Sequence, residues 1–157
     1  MIFDKSIESS NKRLKLSEDG SIGEVLRDEL LKDALIGAIS SFDSLGKALR
    51  NKHISKFPTN PRNLFQNFIE LDKALYNSFG KHIKDYLSQS DSDFLFKIFQ
   101  VRHIYEHNAG VIDEDFVNKL PHFKSQKGKK YKLEKSELEL FFNKLLELVS
   151  KIYHELE

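Results

Sequence analysis

The sequence has no cysteine and no tryptophan, a single methionine and only three prolines. Without cysteine there can be no disulfide and no thiolate metal site. That absence suits a reducing compartment, and the chain is expected to be cytoplasmic. No apolar run approaches the ~20 residues of a membrane span. The first sixteen residues hold no apolar signal-peptide core, so no membrane partner is expected. Charge of one sign is also missing. Against 25 Lys and Arg stand 24 Asp and Glu, a formal charge of +1. No global field therefore steers nucleic acid to the chain, and any such attraction must be local. There is no glycine-rich phosphate loop and no Ser/His/Asp order of a hydrolase triad, and no cofactor is expected.

What is present is helical patterning. Thirteen phenylalanines join leucine and isoleucine as core material, and the length suits one domain. Residues 1–17 are a polar lead, read as a short helix or as disorder, and 18–157 as the single folded domain. Ser17, Asp19, or Ser21 with Glu24 in a capping box, could start the first long helix. From Ile22 to about Lys52 apolar residues recur at helical spacing, Val25, Leu26, Leu35, Ile39, Phe42 and Leu49 among them. This is one helix, or two broken near Ser40-Ser41. Asn60 and Pro61 predict the start of another, with Pro61 in the first turn. It carries Leu64, Phe65, Phe68, Leu71, Leu75 and Phe79, with an interruption at Gly80.

The polar run from Ser88 to Asp93 predicts an N-cap. The helix after it carries Phe94, Leu95, Ile98, Val101 and Tyr105 and ends near Asn108, with Gly110 as its left-handed C′ residue. Asp113 caps a short helix that closes before Pro121. A loop over 121–133 leads to a last helix over about 134–156 with Leu138, Phe141, Leu145, Leu148 and Ile152 on one face. Together these predict an all-α bundle of four main helices and a short fifth.

The chemistry is concentrated in Arg102-His103-Ile104-Tyr105-Glu106-His107-Asn108. Two readings compete. In the first, Arg102 and His107 form an R-x4-H pair. Five residues rotate about 140° around a helix, so the two side chains point apart. They converge if a second copy of the helix faces the first across a two-fold axis. A ribonuclease that works without metal needs a base for the ribose 2′-hydroxyl, an acid for the leaving 5′-oxygen, and a cation for the charged transition state. The helix dipole favours a charged imidazole at His107. In the second reading His103, Glu106 and His107 have H-x-x-E-H zinc-site spacing. A third ligand would then come from Glu134, Glu137 or Glu139. The bland alternative for both is an Arg102 paired with a carboxylate and a His107 at a helix end.

The run RHIYEHNAGVIDEDF resembles the HEPN superfamily of helical nucleotide-binding proteins. The arginine is Arg102, the polar residue after it His103, and the histidine His107. Asn108, Gly110 and Asp113 match the pattern that follows in many members, and the resemblance covers roughly 20–157. It implies a HEPN-like bundle, commonly dimeric, whose active members are metal-independent endoribonucleases. His107 would be the acid/base and Arg102 the phosphate cation, with His103 and Asn108 in support. It implies RNA as substrate and a toxin–antitoxin or antiviral defence setting with an antitoxin or larger partner. Other members bind or scaffold without cleaving, which is the alternative. The loop cations Lys124, Lys127, Lys129, Lys130 and Lys132 are read as the one basic cluster. They would grip RNA phosphates or form a solvated loop.

Overall fold

The computed structural model describes residues 2–20 and 23–157. Among them it contains seven α-helices and two 3-10 turns. The helices are α1 (Ile2–Leu16), α2 (Glu24–Lys52), α3 (Phe68–Phe79), α4 (Ile83–Tyr86), α5 (Gln89–His107), α6 (Glu114–Lys119) and α7 (Lys135–Leu156). The 3-10 turns are Leu64–Gln66 and Pro121–Gln126. The all-α class is as the periodicity predicts. The helix count is higher than the four main helices and short fifth expected from sequence.

The core lies where α2, α5 and α7 meet. Leu35, Ala38, Ile39 and Phe42 of α2 face Leu95, Ile98 and Val101 of α5 and Leu138, Phe141 and Leu145 of α7, all without solvent exposure. Phe42 is its hinge point, with ring centroids 5.0 Å from Phe65 and 6.4 Å from Phe99. No helix among the described residues is long and apolar enough to cross a membrane.

Four expectations need correction. Of the two readings of residues 1–17, the structure shows the helix over Ile2–Leu16, and against the reading of a polar lead its Phe3, Ile7 and Leu14 are buried. Ser10 and Ser17 are buried on the same face, the latter donating to the Leu14 carbonyl at 2.6 Å. Two small polar residues inside the stripe mask its amphipathicity. Second, α2 runs unbroken past Ser40-Ser41, but Val25 and Leu26 at its start are exposed. The proposed Ser21 cap lies outside the described residues.

Third, no helix starts at Pro61. The Arg50 guanidinium gathers the carbonyls of Pro58, Pro61 and Arg62 at 2.6, 2.9 and 3.1 Å. Those carbonyls are thereby held in a loop, and the helix begins at Phe68 after Asn67, whose side chain accepts from the Glu70 N–H at 3.2 Å. Gly80, at φ 69°, closes it. Fourth, α5 is capped by Asn108, and the left-handed residue right after the cap is Ala109 at φ 51°. Gly110 follows at φ 80° and lies against the Tyr105 ring, where a Cβ would come within 2.8 Å of Cε1. Ser88 and Asp113 cap α5 and α6 as expected, each accepting from the N–H three residues on.

Candidate functional site

The last two turns of α5 present their polar residues to one open groove of about 490 Å³. Its walls include Asn63, Gln66, Arg102, His103, His107 and Lys119. Arg102 and His107 diverge on the helix as the 140° step requires, yet both border this space. Helical i,i+4 spacing sorts the cluster into two pairs. Arg102 Nη2 lies 2.6 Å from Glu106 Oε2. The rings of His103 and His107 lie 4.7 Å apart, inclined by 54°. Glu106 links the pairs, with Oε2 3.9 Å from His107 Nε2. The His107 side chain is 63% exposed, so a ligand reaches it without rearrangement.

Arg102 is held from a second direction. Its Nη2 donates to Gln66 Oε1 at 2.5 Å, and Gln66 Nε2 donates to Asp43 Oδ2 at 3.0 Å. Asp43 is buried on α2, and Lys47, one turn on, pairs with the same oxygen at 2.7 Å. This Asp43–Gln66–Arg102 line fixes the guanidinium plane against the groove wall. The sequence reading missed Asp43 and Gln66. Asp43 carried a signal: it stands four residues after Ile39 inside the apolar stripe of α2, where an acid needs a partner. Gln66 carried none, because only tertiary contact defines its role. Arg102 Nε is buried and has no protein partner among the described residues. This buried donor of the fork thus remains unused.

The imidazole pair is electrostatically uneven. Partial burial holds His103 below the ordinary value of 6.5, and the charges of His107 and Lys119 push it the same way. A histidine depressed in the fold binds protons more readily unfolded. Its contribution to stability is therefore whole above 6.5 and is lost as pH falls from 6.5 through the lower folded value. A two-dimensional proton–nitrogen NMR titration is expected to give His103 a midpoint below 6.5. His103→Gln should flatten the pH dependence of unfolding free energy in that window. A midpoint at or above 6.5 would contradict this electrostatic arrangement.

Asn108 does not join the groove. Its Nδ2 donates to the Val111 carbonyl at 2.8 Å and so fixes the turn after α5. Tyr105 is structural as well: its hydroxyl donates to the Tyr131 carbonyl at 2.5 Å, and burial pushes it up to about 12. Of the loop cations, Lys127 pairs with Glu114, and Lys132 lies 3.9 Å from Glu134. Lys124, Lys129 and Lys130 are exposed. None of the five borders the groove, whose lysine is Lys119. The loop reaches the end of α5 through its backbone, by the antiparallel bridge of Val111 with Lys130.

The zinc-site spacing is not completed. Among the described residues no group of three His, Asp or Glu side chains is placed to hold a metal ion. Glu106 is engaged by Arg102. Glu137 accepts from the Tyr131 hydroxyl at 2.7 Å and pairs with Lys97, while Glu139 pairs with Lys135 at 3.0 Å.

Fold and site together define an all-helical protein with a cation and two imidazoles at an open groove. No family model, no curated protein and no solved structure matches the chain.

Proposed function

We propose that the chain is a metal-independent endoribonuclease of HEPN type, acting as a homodimer in the cytoplasm. The observation that carries this reading is the convergence of Arg102, His103 and His107 on one open groove. These are the group types that the chemistry needs. A base takes the proton of a ribose 2′-hydroxyl, and the 2′-oxygen bonds to phosphorus. The bond to the 5′-oxygen breaks, and an acid protonates that oxygen. The products are a 2′,3′-cyclic phosphate and a 5′-hydroxyl. His107 serves as acid/base and a second copy of it, across the dimer axis, as the complementary group. Arg102 stabilises the charge on the phosphorane oxygens, and His103, depressed and neutral above 6.5, supports His107. The biological setting that goes with this reading is a toxin–antitoxin or antiviral defence system, with an antitoxin or larger partner.

A second reading is favoured by one observation. Arg102 is already engaged by Glu106 and Gln66. A scaffold that binds RNA, a nucleotide or a protein through the groove without cleavage needs no freer cation than this.

The experiment is cleavage of a mixed RNA pool by protein verified as a dimer, in EDTA. The expected result is cutting at the same rate with and without the chelator, leaving 2′,3′-cyclic ends. Absence of any cleavage would leave the binding module as the better reading. Cleavage lost in EDTA and restored by zinc would overturn the metal-free mechanism.

A further inference from the structure

From Ser44 to Ile69 the chain has five Lys and Arg and no Asp or Glu. The remaining residues hold the other 20 cations and all 24 acids, so the rest of the molecule is net acidic by four. This second basic segment escaped the sequence reading, which recognised only the lysine loop. It comprises the last turns of α2 and the loop that follows.

Its charges are left largely uncompensated. Lys47 alone is paired with an acid, Asp43. Arg50 is spent on three neutral carbonyls and keeps its charge. Lys56 lies 5.9 Å from the centroid of the Phe79 ring. Lys52 and Arg62 are exposed, and no ion pair of the described residues engages either. Complementing the dipole at the end of α2 accounts for Arg50 and Lys52. It does not account for Lys56 or Arg62, which lie beyond the helix. Lys47, Arg50, Asn51, Ile54 and Arg62 line a hollow of about 440 Å³.

The position of this hollow gives it meaning. Arg62 lines it, and the next residue, Asn63, lines the Arg102–His107 groove. Lys47 is joined to Arg102 through Asp43 and Gln66. Lys119 stands on the wall of the groove itself. The groove therefore adjoins the basic segment and carries a cation of its own.

We infer that the surface formed by residues 47–62 is a phosphate-binding track for single-stranded RNA that continues into the Arg102–His107 groove. This rests on the reading of that groove as an RNA site. Lys52 and Arg62 contact the backbone without reading sequence, and the exposed Ile54 offers an apolar face beside it.

The test is fluorescence anisotropy with a labelled 2′-O-methyl RNA of about 20 nucleotides. Such a probe cannot undergo attack by its own 2′-oxygen, so binding is read apart from cleavage. Lys52→Gln with Arg62→Gln is expected to weaken binding on the order of tenfold and to flatten the log–log salt dependence by about 1.4. Lys151→Gln, an exposed lysine on α7, should change neither. Lys52→Arg with Arg62→Lys keeps both charges and should bind as wild type, which separates charge from misfolding. Unchanged binding by the double Gln variant, or an equal loss in Lys151→Gln, overturns the inference. So does wild-type protein that binds phosphatidylserine vesicles but not RNA, or that binds neither. RNA that binds in this charge-dependent way yet is never cut in its 2′-hydroxyl form defeats the nuclease reading and leaves the track standing. Cleavage by a double Gln variant of wild-type affinity does the reverse.

Discussion

His107→Ala is expected to lower RNA cleavage by about 10²–10⁴-fold while leaving the unfolding midpoint within a degree or two of wild type. Loss of a positioned acid–base group has that kinetic size. The fold should not notice, because the His107 side chain is 63% exposed and leaves no core cavity. Arg102→Ala should cost a similar factor by removing charge stabilisation. It should also destabilise, since it strips Glu106 and Gln66 of their shared donor. The two variants thus separate: one loses rate alone, the other rate and stability. The measurement is initial cleavage rate alongside a thermal unfolding scan. Equal cleavage by wild type and His107→Ala ends the nuclease proposal.

Gly46→Ala should destabilise by about 1–3 kcal/mol, a typical cost of overpacking, although alanine is the better helix former by about 1 kcal/mol. The reason is contact. A Cβ at Gly46 would lie 2.2 Å from Cγ and Cδ2 of Phe65. That ring cannot retreat, being packed 5.0 Å from Phe42 and 5.9 Å from Phe57 between centroids. Gly37→Ala is the matched control on the same helix. There the added atom meets the end of the Arg13 side chain at 3.0 Å, which can swing away, and Ser10 Oγ at an ordinary 3.7 Å. It should be neutral or stabilising by up to about 1 kcal/mol. Chemical denaturation of both variants checks the pair. Equal effects at the two glycines would refute the packing argument. Because Phe65 precedes Gln66, displacement of its ring also shifts the group that holds Arg102.

The elements that could be read from sequence were those whose ends carry local signals. Ser88 and Asp113 bond to N–H groups three residues away, so their caps need no tertiary information. α7 shows its whole apolar stripe, and Leu138, Phe141, Leu145, Leu148 and Ile152 are all buried. The start of α3 was misplaced because Arg50 captures carbonyls eight to twelve residues ahead of it, a contact no local pattern encodes. The site divides in the same way. Arg102, His103, Glu106 and His107 share one helical segment and stood out by density alone. Gln66 reaches Arg102 across 36 positions. Asn108 could be read either way, because a C-cap amide and a ligand-holding amide look alike until a carbonyl is found opposite it, here that of Val111. The lysine loop drew notice by its crowding, whereas the cations of 47–62 are spread over sixteen positions and marked chiefly by the lack of acids around them.

The burial of α1 bears on how the protein should be handled at the bench. Phe3 lies 6.2 Å from Phe42 between ring centroids, and Phe42 touches both Phe65 and Phe99. Trimming the first seventeen residues as a dispensable leader would open the aromatic cluster from behind, without touching the motif residues themselves. The shortened protein would be expected to aggregate, and its inactivity would then be blamed on chemistry it still possessed. Truncations should spare α1, and a boundary chosen by polarity alone would cut through the middle of a packed layer.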